Sequence, residues 1–504
     1  MFAHRARAAN QASRSDGTAL NTKTMALMNI PEWLLLVVTA CVLFYLYASR
    51  SKNYWKNQNV VHEKFSCLFG PATSLLYKPV HTLDQERYLK MGRIFGYFEG
   101  GRPALSVGEP NMVKLVLVKD FPILCNRRMN DMIQDCAKIT SEHLMKAAEE
   151  GKDVDLKRFY GHYTLDVIAK CAFGTELDSY KDASNEFVTK SSKAFSGGMR
   201  LPVVLFILCP VLLKVFKVKL LDPEPFRYFK EVCVAIIQER RRRQHRHEDF
   251  LQLMMDAQEG TLGDGVETAP GKENTKIFDI DSEVKSNVKF VTKALTEDEA
   301  LAQCVLFFVA AHDATSSVLA FAAHLLALNP DAQDKLRREA DECFATHGTN
   351  PSLDVISKLP YLHCVVSETM RLYPPAPRLD RTTCQEYVLG DTGIRVPKGS
   401  IVTIPIYSMH RDPEFFPDPE KFIPERFNEA NAGSIRPYTY LPFGAGPRNC
   451  IGMRMGLQIA KLCLLHSVHT VRFVPARKAK APLEFVKGVR LMKPKEVTVG
   501  ITKR

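Results

Sequence analysis

From Glu297 to Leu328 the chain runs without a proline or a glycine, and no other stretch constrains the fold as strongly. Thr296-Glu297-Asp298-Glu299 is a capping box that opens a helix, and Asn329-Pro330 closes it. At 1.5 Å per residue the helix is roughly 48 Å long, enough to cross a whole domain. It is apolar almost all round through Cys304, Val305, Leu306, Phe307, Phe308 and Val309, so it belongs inside a large, mainly helical core. Its middle nevertheless reads Ala310-Ala311-His312-Asp313-Ala314-Thr315-Ser316-Ser317. Polar groups in a buried helix are costly unless they are paired or used. Either hydroxyls bond back to the helix carbonyls and kink it, or this stretch is one wall of a reactive pocket. In that second case Ala310 and Ala311 leave room for a small molecule.

A second stretch carries the chemistry. Phe443-Gly444-Ala445-Gly446-Pro447-Arg448-Asn449-Cys450-Ile451-Gly452 packs three glycines and a proline around one cysteine. An apolar run at helical spacing follows (Met455, Leu457, Ile459, Ala460, Leu462, Leu464, Leu465). The loop therefore presents Cys450 near a helix start, where free N–H donors and partial positive charge favour a thiolate. With no CxxC partner it is a poor zinc site, whereas a single thiolate suits an axial position on haem iron. A bare cysteine here would read as a core residue; the spacing of Phe443, Gly446, Arg448, Cys450 and Gly452 argues for a ligand.

Order along the chain adds weight. The long helix is followed by Glu368-x-x-Arg371, a proline-rich stop (Pro374, Pro375, Pro377), Pro424-Glu425-Arg426-Phe427 and then the Cys450 loop. In a helix, Glu368 and Arg371 share a face and can pair. This order, together with the loop itself, resembles the cytochrome P-450 family, and its details resemble the microsomal clan of xenobiotic oxidisers and thromboxane-synthase-like enzymes. The resemblance covers about residues 30–500. It implies a mainly α fold with a smaller β-rich lobe near the N-terminus, forming a triangular haem domain behind one N-terminal transmembrane helix. It also implies that Cys450 ligates the iron of haem b and that Phe443 packs on the ring. Arg127, Arg381 and Arg448 would hold the propionates. Asp313 and Thr315 would deliver protons on the distal side. Glu368, Arg371 and Arg426 would form the structural network that locks the loop.

The chain departs from the family pattern in two places. In the family motif Ala-Gly-x-Asp/Glu-Thr-Thr/Ser, the glycine is Ala311 and the relay threonine is Ala314. Thr315 lies one residue on, turned by about 100°. The second departure follows Arg128. The family carries a substrate loop there and a Trp-x-x-x-Arg helix that grips the propionates. This chain has only Trp33 and Trp55, and it passes straight into a helical stretch, Met129–Glu150.

The rest of the chain supplies context. Residues 1–24 are rich in Ala, Ser and Arg, like a transit peptide, but read better as a disordered extension upstream of Met25 and Met28. Residues 25–49 give about 24 positions for a transmembrane signal anchor, with Trp33, Tyr45 and Tyr47 near its ends and Arg50, Lys52, Lys56 and Lys64 after it. Residues 50–504 are the catalytic domain, which the positive flank keeps in the cytosol. Phe95 to Val107 reads as a hairpin around Gly100-Gly101, Asn111–Lys119 as a short helix closed by Asn126-Arg127-Arg128, Asp153–Gly174 as an amphipathic helix and Tyr361–Leu372 as another helix. Leu201–Phe216 is apolar and broken by Pro202 and Pro210; it is either a core segment or a patch dipping into a membrane. Arg240 to Arg243 reads as a solvated helix end, and residues 256–294 as a polar surface loop.

The thirteen cysteines are scattered singly, as in a chain of reduced thiols. The net charge of +12 suits an anionic membrane or an acidic partner, and no nucleic-acid motif is present. The resemblance then implies an endoplasmic-reticulum enzyme inserting one atom of O2 into a lipophilic substrate. NADPH would supply electrons through an acidic flavoprotein reductase, with a small haem protein as a second donor. Two rivals remain: a haem-thiolate isomerase or dehydratase, to which Ala314 lends weight, and a catalytically impaired isoform acting as a binding protein. A purely structural membrane protein fits poorly with five motifs in order.

Overall fold

The computed structural model describes residues 53–63, 80–99, 102–109, 127–174, 223–243, 296–477, 483–487 and 491–504, with position 78 and short stretches within 178–190 and 251–255. The extension at 1–24, the anchor at 25–49, the short helix at 111–119, the apolar segment at 201–216 and the loop at 256–294 lie outside them. Along the chain run α1 (Val80–Met91), β1 (Ile94–Glu99), β2 (Arg102–Val107), α2 (Arg127–Glu150), β3 (Asp153–Asp155), α3 (Leu156–Phe173), α4 (Pro223–Arg243) and α5 (Glu297–Leu328). Then come α6 (Pro330–His347), α7 (Pro360–Leu372), β4 (Leu379–Thr382), β5 (Tyr387–Val388), β6 (Arg395–Val396), β7 (Ile401–Ile404), α8 (Met453–Thr470), β8 (Val471–Pro475) and β9 (Thr498–Lys503).

Helix α5 has the expected bounds and cap: Thr296 accepts from the Glu299 N–H, while the Glu299 side chain accepts from the Thr296 N–H. Among the described residues it is the one helix long and apolar enough to cross a membrane, but more than half of it is buried in the fold. It is the axle of the helical core. Phe321, Ala323 and Leu326 of α5 pack with Tyr160 and Tyr163 of α3, Leu336 of α6, Val365 of α7 and Leu462 and Leu465 of α8. Two buried tyrosines tie α3 to α8, since Tyr163 donates to the Ile459 carbonyl at 3.0 Å and Tyr160 to Ser467 Oγ at 3.2 Å. The first half of α5 packs separately against α3 and α4 through Phe308, Ile168 and Phe229.

The β-rich lobe corrects the expectation of its location. Its sheet has the order β1-β2-β7-β4, so half of its strands come from residues 379–404 and not from the N-terminal region. β1 and β2 form the expected antiparallel hairpin, and β2 runs parallel to β7. Trp55 is fully buried against this lobe and donates to the Tyr97 carbonyl at 3.0 Å. A Cβ on Gly96 would meet its indole at 2.5 Å, so the sheet needs a glycine there.

Other boundaries shift for local reasons. Asp153–Asp155 is a strand paired with β9, and Asp155 caps α3 by accepting from the Lys157 N–H. Helix α3 is buried on nearly every side, unlike the amphipathic helix its sequence suggested. Arg127 and Arg128 form the first turn of α2 and do not close a preceding helix. In the basic run ending α4, Arg240 is buried and donates to the Phe173 carbonyl at the end of α3, so only part of that run is solvated.

Candidate active site

The cysteine loop is built by its glycines. Gly444 and Gly446 hold φ of +73° and +79°, a region that favours glycine. Their turns fold the chain back so that the Cys450 N–H donates to the Phe443 carbonyl at 2.9 Å and the Asn449 N–H to the Gly446 carbonyl at 2.8 Å. Helix α8 starts at Met453 with Gly452 as its cap. The Cys450 thiol is open to solvent yet recessed among protein atoms. Those surroundings push its pKa up, while the Gly452 N–H opposes them by stabilising the thiolate. Such a thiol is not poised to ionise unaided; a metal cation would complete it.

A brace holds this loop. Glu368 and Arg371 on α7 are both fully buried. Arg371 donates to Glu368 through Nε at 2.7 Å and Nη2 at 2.8 Å, and to the carbonyls of His410 at 2.7 Å and Lys421 at 3.1 Å. Glu368 also accepts from the Ile423 N–H at 2.9 Å and from Arg426 Nε at 3.4 Å. His410 carries the brace onward: its Nε2 accepts from the Leu441 N–H at 2.9 Å, which leaves Nδ1 to donate to the Arg371 carbonyl at 3.2 Å. Tyr440 stacks on His410 and donates to the Ser367 carbonyl at 2.8 Å. The Gly444 N–H then donates to the Leu441 carbonyl at 3.1 Å, one turn before the cysteine. His410-Arg411-Asp412-Pro413 fits the family pattern in sequence but also reads as an ordinary turn, so the place of His410 in the brace was not legible, and Tyr440 carried no signal at all.

Strand β4 forms a second wall. The alternation of a strand puts Leu379 and Arg381 on one face and Asp380 on the other. Leu379 packs close to Gly444, where a Cβ would come within 3.1 Å of it. Asp380 faces away and accepts from Arg378 and Thr403. Arg381 is half-buried, and its pKa is lowered by burial and then by the like charge of Arg448. Two cations close enough to disfavour each other's charge, one of them in the cysteine loop itself, favour an anion nearby. A planar iron macrocycle bearing carboxylates fits this donor set: thiolate for the metal, guanidiniums for the carboxylates. Phe443 is half-buried in the same loop. Arg127 opens α2, but its side chain lies outside the described residues.

Helix α5 packs on α8 just past the cysteine loop, and its burial pattern shows which face is open. Gln303 and Ala310 are exposed, Leu306 is 59 % exposed, and Ala311 and Ala314 are half-buried, all at helical spacing. The polar groups lie off that face. Thr315 is buried, and its Oγ1 would be 4.0 Å from a Cβ on Gly456 of α8. His312 Nδ1 is 2.9 Å from Thr164 Oγ1 on α3. Ser316 and Ser317 donate back to the carbonyls of His312 and Asp313 at 2.8 and 2.7 Å. Asp313 is 5 % exposed and pairs with Lys157 at 2.9 Å and Lys493 at 3.5 Å. Burial would raise its pKa, but the two ammonium groups win and hold it below the usual carboxylate range.

Comparison with known proteins agrees with this geometry. The family model for Cytochrome P450 matches residues 121–500. Cytochrome P450 3A2 of Rattus norvegicus is 32% identical over 524 residues, covering 95% of this chain and 98% of that protein. Cytochrome P450 3A11 of Mus musculus is 32% identical over 521 residues, covering 95% of this chain and 97% of that protein. The chain belongs to the cytochrome P450 family. As a cytochrome P450 it is a haem-thiolate monooxygenase with a mainly helical fold and a small sheet region. Enzymes of this family hold haem through a cysteine thiolate and take electrons from NADPH through a reductase.

Proposed function

We propose that this cytochrome P450 is a membrane-anchored monooxygenase that inserts one oxygen atom of O2 into a lipophilic organic substrate, with Cys450 as the axial ligand of haem. The observation that carries this reading is the accessible Cys450 thiol, directed at the Gly452 N–H in a loop braced through His410 to a buried Glu368–Arg371 pair. When bound, haem would supply the iron at which O2 is activated and oxygen transferred. The chain's own residues do the rest. Arg381 and Arg448 neutralise the propionates, together with Arg127 at the start of α2, and Phe443 packs on the ring. The open face of α5, lined by Leu306, Ala310 and Ala314, has no charged group and favours an apolar substrate. Asp313 provides the acid on that side. Thr315 stands beside it on the face toward α8, one residue from where the family carries its relay hydroxyl.

Residues 25–49 serve as the anchor in the endoplasmic-reticulum membrane, with residues 50–504 in the cytosol, where the net charge of +12 favours an acidic reductase. A small haem protein is a second electron donor in the same scheme. The aligned span of 524 positions is longer than the 504-residue chain, which supports the reading that this chain lacks residues its relatives have. The absence of Trp-x-x-x-Arg puts that gap after Arg128 and leaves more of the propionate clamp to Arg381 and Arg448.

A second reading has its own observation. Ala314 gives the open face of α5 no hydroxyl, a composition that also suits rearrangement or dehydration of a substrate already carrying oxygen. One experiment tests both. Purified protein is reduced and treated with CO, beside Cys450→Ser. Wild type is expected to give the red-shifted Soret band of thiolate-ligated haem, and Cys450→Ser to lose it. No haem uptake, or an unchanged band in Cys450→Ser, overturns the assignment of Cys450. Product formed without NADPH and reductase would favour the rearrangement.

A further inference from the structure

Helix α4 crosses the first half of α5, and two cysteines meet at the crossing. Phe229 of α4 packs on Phe308 of α5 with ring centroids 4.5 Å apart. Lys230 pairs with Asp298 at 2.7 Å. Cys304 lies between those two contacts along α5, and its thiol shares a hydrogen bond with Cys233, one turn on from Phe229 along α4. Cys304 is 1 % exposed and Cys233 is 2 % exposed. Both belong to the apolar cluster that α4 shares with α3 and α5, together with Ile237 and Leu301. Gln303, which starts the open face of α5, is next to Cys304 in the chain.

A thiol is a weak donor and a weak acceptor, so in packing terms the pair adds little that two small apolar side chains would not supply. What it adds is chemistry. Helix axes pack about 8–10 Å apart, with Cα atoms about 2.3 Å from each axis. Facing Cα atoms at a crossing therefore come within the roughly 4.4–6.8 Å that a disulfide spans. The closed contact also keeps the pair reduced. The shared hydrogen bond and then burial push the Cys233 thiol up, so thiolate is scarce while α4 lies on α5. The contact is made largely of apolar side chains, which part and re-form without breaking a backbone ladder. Ionisation, and with it oxidation, follows a lift of α4 that lets water in.

We propose that Cys233 and Cys304 are a redox-controlled staple: a hydroperoxide oxidises them to a disulfide that fixes α4 against α5, and a small thiol reductant releases it. One thiolate attacks a peroxide oxygen, the O–O bond breaks, and a sulfenic acid forms. The second thiol displaces that oxygen as water, and the S–S bond closes. With hydrogen peroxide, two thiols and one peroxide give one disulfide and two waters. Two molecules of a monothiol reverse the step and leave as a disulfide themselves. Transient disulfides of this kind serve as redox sensors in a reducing cytosol, the compartment proposed for residues 50–504. The staple fixes a helix that flanks the open face of α5, so its effect on turnover rests on the proposed function; the cross-link itself does not.

Peptide mapping of the purified holoenzyme tests this without turnover. The protein is treated with hydrogen peroxide, unfolded in an alkylating reagent and digested with trypsin without reduction. Wild type is expected to yield a species joining the peptides that carry Cys233 and Cys304, two hydrogens lighter than their sum and split by dithiothreitol. The exposed Cys384 thiol reports that the oxidant has acted. Cys233→Ala is expected to lose the joined species. Amide hydrogen exchange in α4 is expected to slow by about tenfold on oxidation of wild type and to stay unchanged in Cys233→Ala. Oxidation of Cys384 with no Cys233–Cys304 species overturns the proposal, and so does a disulfide that leaves exchange in α4 unaltered. If Cys233→Ala does not fold, Cys304→Ala decides by the same map. Failure of wild type to make NADPH-dependent product overturns the oxygenase reading, and the peptide map still judges the cysteine pair.

Discussion

Arg371 shows what one side chain can hold in this fold. Its guanidinium is completely buried and reaches Glu368, the His410 carbonyl and the Lys421 carbonyl. The pair is tolerated because nearly every donor is matched. Arg371→Met removes one partner and leaves the buried Glu368 carboxylate with the Ile423 N–H and Arg426. The expected loss is about 3–5 kcal/mol in unfolding free energy, read as a lower urea midpoint. A loss below about 1 kcal/mol would mean that Arg426 or water replaces the guanidinium. Glu368-x-x-Arg371 was visible as a helical pair. That it bridges to Lys421, Ile423 and His410 was not, because those partners are 39 to 55 residues away along the chain.

Elements transmit this pairing to the cysteine. Helix α7 supplies Arg371, a short turn at Ile406–Met409 leads into His410, and His410 takes the Leu441 N–H at the mouth of the loop. His410→Phe keeps a ring against Tyr440 but removes both hydrogen bonds. The expected result is a folded protein whose Leu441 amide exchanges at least tenfold faster and whose haem dissociates more readily; wild-type exchange at Leu441 would show that the loop stands without the brace. Patterning fixed the bounds of α5 because its cap and its proline stop are local. It misplaced the start of α3, because Asp153–Asp155 extends only by pairing with β9, more than 300 residues later.

Across the whole molecule, buried histidines set the response to acid. Burial lowers His312, His363 and His410 to about 3 and His466 to about 4. Unfolded, each would titrate near 6.5. Between those values the unfolded chain binds more protons, so stability is present above pH about 6.5 and falls as pH drops toward 3. Asp166 acts in the opposite sense: burial raises it to about 6, and its contribution is lost as pH rises from about 4 to 6. His162 and His324 are lowered in the same sense and Glu339 is raised like Asp166, so the histidines outnumber the opposing acids and predict a falling urea midpoint from pH 7 to 4.5; a flat profile would mean that these histidines are solvated. The sequence by itself determined the long axial helix, the glycine-framed cysteine and the order of motifs, since capping, periodicity and glycine turns act over a few residues. Only the tertiary structure decided the rest: that strands from both ends of the chain share one sheet, that the charge of Arg448 acts on Arg381, and that Asp313 is held by Lys157 and Lys493. Those contacts join residues far apart in sequence, and burial, which no local pattern records, sets their charge and direction.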